Sequence, residues 1–189
     1  MARLRNRVFR EFSMKVCPDY EQLARYIDAH RALNRTIVAT IGSWDMLHIG
    51  HLRYLIRAKG FGDILIVGVD SDRAVRKYKG PLRPIIPQAE RMEMLSYQHC
   101  TDYVTLVDDI DDGGNWQYGL INRIQVNVFV AVEDSYPEEQ RQEISKRCKK
   151  LIVLPRQASK TSSTNIIQNT IKGHLLTILN LSPKLLKRG

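Results

Sequence analysis

His48 and His51 stand three residues apart inside the run Gly42-Ser43-Trp44-Asp45-Met46-Leu47-His48-Ile49-Gly50-His51. Two imidazoles at that spacing at a helix start can face one ligand. They can donate hydrogen bonds to oxygens that gain charge as a phosphoanhydride breaks, and such chemistry needs no nucleophilic side chain. The same spacing also serves as half of a metal site, or as two ordinary polar residues. A zinc site needs a third or fourth ligand, and His30, His99 and His174 stand at no ligand spacing to the pair.

The elements that must position the pair can be read on either side of it. Thr36 to Ile41 is β-branched and reads as a buried strand, whereas Ile49, Leu52, Leu55 and Ile56 recur at helical spacing until Gly60. The run is therefore a strand-to-helix turn. The first N–H groups of such a helix lack internal partners and carry the positive end of its dipole, so they attract phosphate. Gly50 is read as the gap that lets a phosphate come close. Strands are expected near 36–41, 63–69, 103–107, 126–132 and 151–154, with helical segments between them. That alternation predicts an α/β fold, a Rossmann-like doubly wound five-stranded parallel sheet in one domain, with ligands at the carboxyl ends of its strands. Asp19 is placed to cap a helix carrying Tyr20, Leu23 and Ile27, and Ser135 with Glu138 offers a capping box before a later one.

Length and charge bound the remaining possibilities. A chain of 189 residues with 43% hydrophobic content can bury one real core, and it has no apolar run long enough to span a membrane. Cys17, Cys100 and Cys148 lack the spacing of a disulfide framework or zinc knuckle, which suits a reducing, cytoplasmic setting. The net charge of +9 is compatible with nucleic acid, an anionic membrane or an acidic small ligand. Part of the excess lies in basic terminal arms. Arg3, Arg5, Arg7 and Arg10 interleave with Leu4, Val8 and Phe12, while Leu175, Leu176, Ile178 and Leu179 precede Lys184, Lys187 and Arg188. Glu11 and the lack of a serine-rich stretch weigh against a transit peptide, so subunit packing in a homo-oligomer is the preferred reading of the arms. Arg73, Arg76, Lys77 and Lys79 place further charge beside the expected phosphate site. No aromatic-basic platform for single strands accompanies it, which disfavours nucleic acid. Asp108, Asp109, Asp111 and Asp112 precede Gly113-Gly114 without EF-hand spacing and read as a solvated loop.

Taken together, these motifs resemble the cytidylyltransferase-like superfamily of nucleotidyltransferases, whose signature Gly-x-Phe-Asp-x-x-His-x-Gly-His is departed from only at Trp44. Further agreement comes from Gly62 to Asp72, Lys79-Gly80-Pro81, Arg83-Pro84, Glu90-Arg91 and Ser162 to Ile167. Their order and spacing are most similar to the adenylyltransferase half of bacterial ADP-heptose synthase and, more distantly, to glycerol-3-phosphate cytidylyltransferase. The resemblance covers about residues 18–172, leaving an N-terminal arm at 1–17 and a helical, basic tail at 173–189. It implies transfer of AMP from ATP, or secondarily CMP from CTP, to a phosphorylated sugar, polyol or similar small molecule. Pyrophosphate is released, and Mg2+ accompanies the triphosphate.

By the same resemblance His48, His51 and Lys79 are catalytic. Gly42, Ser43, Trp44, Asp45, Gly50, Asp70, Arg91, Ser162, Ser163 and Thr164 bind the nucleotide, and no residue is assigned to a protein-held metal. Several roles have competitors. Lys77 can replace Lys79, Lys160 competes with Arg156, and Asp45 can simply brace its loop. Asp70 can meet the nucleoside or cap the next helix, and Arg91 can form a helix-surface ion pair. Ala131-Val132-Glu133-Asp134-Ser135 replaces the Lys-Gly-Gly-Asp-Tyr of ADP-heptose synthases, losing a cation and adding Glu133, which predicts poor use of a heptose phosphate. Gly114 stands where the glycerol-phosphate branch has lysine before Asn115-Trp116. A catalytically silent nucleotide-binding regulator and a basic RNA-associated protein remain the alternative functions.

Overall fold

The computed structural model describes residues 14–158 and 161–185; Arg3, Arg5, Arg7, Arg10, Lys160, Lys187 and Arg188 lie outside the described residues. In chain order the elements are α1 (Tyr20–Ala32), β1 (Ile37–Gly42), α2 (Ile49–Lys59), β2 (Ile64–Asp70), α3 (Asp72–Lys79) and α4 (Gln88–Ser96). There follow β3 (Tyr103–Val107), α5 (Gly119–Ile124), β4 (Val128–Val132), α6 (Glu138–Ser145), β5 (Lys150–Leu154) and α7 (Ser163–Leu185). Each expected strand is present, with its ends within two residues of the expected bounds.

The sheet has the order β3-β2-β1-β4-β5 and is parallel throughout. Ile37 pairs with Ile64, Val38 with Val128 and Phe129 with Leu151. The chain winds outward from β1 to β3 and then crosses back to β4, so the switch point lies between β1 and β4, where ligands of open α/β sheets bind. Both faces are covered, which is why the central strands are apolar on successive residues rather than on alternate ones. Leu23 and Ile27 of α1, Leu120, Ile121 and Ile124 of α5 and Ile144 of α6 pack on one face with Phe129. Tyr54, Leu55 and Ala58 of α2 and Met92 and Leu95 of α4 pack on the other.

Local signals explain most helix ends. Asp19 caps α1 by accepting the Glu21 N–H at 2.8 Å, and Ser71 caps α3 through the Ala74 N–H at 3.0 Å. One expectation is corrected: Ser135 forms no capping box, and Pro137 occupies the position before α6 without a side-chain cap. Helix α2 ends at Gly60 as its spacing predicts; its buried face is Gly50, Tyr54, Leu55 and Ala58, while Ile49 and Ile56 are exposed. Helix α7 runs on to Leu185 and exposes Ile171, Leu175 and Ile178. No helix among the described residues is long and apolar enough to cross a membrane.

Gly68 within β2 leaves no room for a side chain between its neighbouring strands. A Cβ there would lie 2.7 Å from Ile41 Cγ1 and 2.8 Å from Val107 Cγ2. Gly68→Ala should therefore cost about 1–3 kcal/mol of stability through overpacking. Urea unfolding checks this, and an unchanged midpoint would show that the sheet yields there freely.

Candidate active site

A cleft of about 660 Å³ opens at the carboxyl edge of the sheet. One wall comes from the β1–α2 turn and the start of α7, and the other from the ends of β2 and β3 with the segment after β4. Of the residues expected to act, His48, His51, Lys79, Gly42, Ser43, Trp44, Gly50, Asp70, Ser162, Ser163 and Thr164 all border it. Asp45 and Arg91 do not.

The β1–α2 turn is conformationally expensive, since Trp44 and Met46 take φ values of 51° and 53° without being glycine. Each such residue costs roughly 1–2 kcal/mol, so the turn persists only because its surroundings fix it. Trp44 is buried and donates Nε1–H to the Gly68 carbonyl at 2.8 Å. Gly42 gives its indole room, because a Cβ there would stand 3.3 Å from the ring. The Asp45 carboxylate is fully buried; it accepts from the Ile85 and Ile86 N–H groups, each at 3.0 Å, and from Arg83 Nε at 2.8 Å, and it forms an ion pair with the Arg83 guanidinium, whose Nη2 lies 2.6 Å away. Burial alone would raise its pKa, but these donors hold it below the usual aspartate range.

Arg91 does not border the cleft and is not on the surface. It is 0% exposed and donates to the Ile86 carbonyl at 2.9 Å, to the Ser43 carbonyl, and to Asp72 Oδ1 at 2.6 Å. Asp45 and Arg91 are thus braces for the turn. From sequence their types suggested ligands; only their burial shows that every polar atom is already committed.

The histidines are held by the backbone of their own helix. His48 precedes α2, and its Nδ1 accepts the Gly50 N–H at 3.1 Å; His51 Nδ1 accepts the His48 N–H at 3.3 Å. Their rings stack with centroids 3.9 Å apart, and Trp44 meets His51 edge-on at 5.6 Å. Burial lowers the His48 pKa, helped by Arg156. Burial, followed by His48 and Lys79, pushes His51 down to about 3. Gly50 is not an open gap: a Cβ there would lie 2.9 Å from both Ala158 Cβ and His48 Cε1. The glycine lets His48 fold back over its own helix and lets the segment after β5 close against it.

Lys79 donates to Ser43 Oγ at 2.7 Å and stands 5.7 Å from the Tyr78 ring centre. Desolvation at the cleft wall and then Arg83 push its ammonium below the usual lysine range, against the pull of Asp45 and Asp70. Lys77 turns away and donates to the Asp112 carbonyl at 3.1 Å, and Arg73 binds Asp108 at 3.1 Å. Of the four basic residues expected beside the site, Lys79 alone borders the cleft. The acidic run is also more than a solvated loop. Asp109 accepts Trp116 Nε1–H at 2.9 Å, and Asp111 accepts the Asn115 N–H at 2.8 Å.

At the start of α7, Ser162 Oγ accepts the Asn165 N–H at 3.1 Å, and the Ser163 hydroxyl donates to the Asp45 carbonyl. Ser163 thereby ties the two phosphate-type helix starts together. Arg156 borders the cleft and pairs with Asp134, with its Nε 2.6 Å from Oδ2. Glu133 does not border it; its carboxylate accepts the Arg156 N–H at 3.3 Å, so the expected opposition of Glu133 to an acceptor is absent. Asp134 is the acidic residue that borders the cleft after β4.

Tyr78, Trp116 and Tyr136 complete the walls; Tyr78 and Tyr136 were not anticipated, and Trp116 was noted only within the Asn115-Trp116 pair. Trp116 and Tyr136 lie in irregular segments that come together only when β3 and β4 are placed in the sheet, so no sequence spacing links them. Tyr78 sits one residue before Lys79, the signal that could have found it. Among the described residues no three His, Cys, Asp or Glu side chains are grouped so as to hold a metal ion.

Comparison with known proteins agrees with this geometry. The bifunctional protein HldE of Geobacter metallireducens is 40% identical over 116 residues, 61% of this chain and 23% of the relative. That of Wolinella succinogenes is 45% identical over 100 residues, 53% of this chain and 20% of the relative. The matched stretch is thus less than a quarter of either relative. Among solved structures, the lipopolysaccharide core biosynthesis protein from Thermoplasma volcanium GSS1 superposes with a TM-score of 0.56 at 25% identity, over 65% of this chain and 98% of that one. The Cytidylyltransferase-like family model matches residues 39–169, from within β1 to the first turns of α7, and the chain belongs to that family.

Proposed function

We propose that this chain transfers a nucleoside monophosphate, AMP in preference to CMP, from the triphosphate to a phosphorylated sugar, polyol or similar small molecule. The observation that carries the reading is the commitment of both Nδ1 atoms to backbone N–H groups. A nitrogen that accepts carries no proton, so each neutral ring holds its proton on Nε2 as a donor. The depressed pKa values keep both rings in that state near neutral pH. Preference for ATP rests on the resemblance to the adenylyltransferase half of ADP-heptose synthase.

In this reading the triphosphate lies between the α2 start, Lys79 and the α7 start, where the positive ends of two helix dipoles border one cleft. An acceptor phosphate oxygen attacks the α-phosphorus in line. The new P–O bond forms as the bond to the bridging oxygen breaks, and pyrophosphate leaves with that electron pair. His48, His51 and Lys79 stabilise the negative charge that builds on the equatorial and leaving oxygens, so catalysis is positioning plus electrostatics. Magnesium enters bound to the triphosphate and supplies further charge neutralisation. Mg2+ commonly keeps water and substrate phosphate oxygens as ligands rather than a protein cage, and would do so here.

Three outcomes test this reading. His48→Ala or His51→Ala should reduce pyrophosphate release by about a hundredfold or more, as loss of one preorganised donor does. Full turnover in a folded double variant would overturn the mechanism. Lys79→Ala should weaken ATP affinity while Lys77→Ala does not, because Lys77 is anchored on Asp112; calorimetric titration with ATP separates them.

The third outcome is a pH dependence of stability. His51 titrates at about 3 folded against 6.5 unfolded, so between those values the unfolded chain takes up a proton that the folded chain refuses. Stability should therefore be independent of this group above pH 6.5 and fall as the pH drops below it, by about 1 kcal/mol per pH unit. Urea unfolding at pH 7, 6 and 5 should show that slope in the native protein and a shallower one in His51→Gln. Equal slopes would place His51 in contact with solvent.

A further inference from the structure

The cleft straddles the edge of the sheet, and its two halves differ in chemistry. On the α2 face stand the histidines, Lys79 and the α7 start. Lys79 is held on Ser43, and Arg156 is close enough to depress His48. The half over the α1 and α5 face is walled by Trp116 and Tyr136, whose ring centres are 6.0 Å apart. Their polar ends are already used, since Trp116 donates to Asp109 at 2.9 Å and Tyr136 to the Ile41 carbonyl at 3.2 Å. They therefore offer ring surface. No lysine or arginine among the described residues borders that half.

Asp70 lies at the junction, at the carboxyl end of β2. Its Oδ2 accepts the Tyr78 hydroxyl at 2.5 Å, and Oδ1 accepts nothing from the described residues; it also forms no ion pair among them. Ser71, not Asp70, caps α3. The contrast with Asp45 is direct. Asp45 has its donors and is held below the usual aspartate range, whereas burial pushes Asp70 above it. A partly buried carboxylate with a free oxygen facing a cleft is complete only when a ligand supplies a donor.

Resting on the nucleotidyltransferase reading above, we infer that Asp70 selects the acceptor. The acceptor's end remote from its attacking phosphate carries a hydroxyl or ammonium group that donates to Asp70 Oδ1, its skeleton lies against Trp116 and Tyr136, and an acceptor with a second anion there is rejected. Hydroxyl and ammonium share the required chemistry, a donor without negative charge. An ammonium would also gain from the ring faces. A carboxylate or second phosphate would meet the like charge of Asp70; Lys79 and Arg91 already act on Asp70 from the α2 side, and no lysine or arginine among the described residues borders the aromatic side to draw that second anion in.

Four hexose 1-phosphates of one shape, differing only at C6, test this: glucose 1-phosphate, 6-amino-6-deoxyglucose 1-phosphate, glucuronic acid 1-phosphate and glucose 1,6-bisphosphate. Each is titrated calorimetrically into the full chain saturated with magnesium and α,β-methylene-ATP, whose own affinity is measured first. The neutral or aminated probes should bind at least about tenfold tighter than the two with a second anion, given the like-charge cost. The tighter of glucose 1-phosphate and its 6-amino analogue identifies hydroxyl or ammonium. Asp70→Asn, which still accepts from Tyr78, should shrink the discrimination to within about threefold, and Asp70→Glu, which keeps the charge, should retain it. A merely structural role for Asp70 would lower all four affinities together. The inference is overturned if the dianionic probes bind the native chain equally well, if Asp70→Asn leaves the ratio unchanged, or if none of the four binds the nucleotide-loaded protein. Failure of the ATP analogue itself to bind would instead remove the nucleotidyltransferase reading.

Discussion

The carboxylate of Asp45 is the point on which the site's geometry hangs. It is removed from solvent, so its charge must be met inside the protein, and it is met by Arg83 and by two consecutive backbone N–H groups at Ile85 and Ile86. An unpaired charge in that position would cost several kcal/mol, which makes the arrangement close to obligatory once the chain has collapsed. The Asp45 carbonyl then receives Ser163, and Arg91 clamps the Ser43 carbonyl one step earlier. A single strained turn is thereby attached to the loop before α4 and to the first residue of α7. The strain at Trp44 and Met46 is tolerated because these attachments leave the turn no relaxed alternative.

That fixed turn is what gives the histidines their chemistry. In most helices a serine or aspartate satisfies the first N–H groups, and the side chain is then finished. Here imidazoles take that place, and an imidazole that accepts with one nitrogen still has a donor to offer with the other. Capping and ligand recognition become one act, with the tautomer set by the backbone. Stacking of the two rings and their burial beside Lys79 oppose protonation, so the donors stay uncharged until an anion arrives. The anion itself would restore favourable electrostatics for the cationic cleft wall, which couples occupancy to the charge state of the site.

The frame was legible in the sequence because its signals are local. β-branched runs, helical spacing, Asp19 as a cap and Gly60 as a stop each depend on residues within a few positions. The sheet order was less accessible, although alternation of elements already implied parallel strands. The site divided along the same line. Most residues carried on the β1–α2 turn and at the α7 start reached the cleft, since their positions follow from one strand end or one helix start. Arg91, and Asp45 on that same turn, do not border it, because a charged side chain reads identically whether it faces a ligand or a buried partner, and only long-range packing decides.

The aromatic wall shows what such reading cannot supply. Trp116 follows β3 and Tyr136 follows β4, strands that β2 and β1 hold apart in the sheet, and the two rings meet because the segments that carry them fold toward one another at its carboxyl edge, where Tyr136 donates to the Ile41 carbonyl at the end of β1. Charge is partitioned across the same edge, with Lys79 and Arg156 toward the histidines and Asp70 facing the rings. A cleft so divided favours a ligand that is itself divided, anionic at one end and uncharged or cationic at the other. A symmetrical dianion would leave one of its charges against Asp70 in a low-dielectric wall. Each element of the histidine half, the β1–α2 turn, Lys79 and the α7 start, is a local motif, although Ser163 and Asp45 are 118 residues apart in the chain. The aromatic half is assembled from irregular segments, so under the proposed function substitutions there would change what is accepted without disturbing the β1–α2 turn.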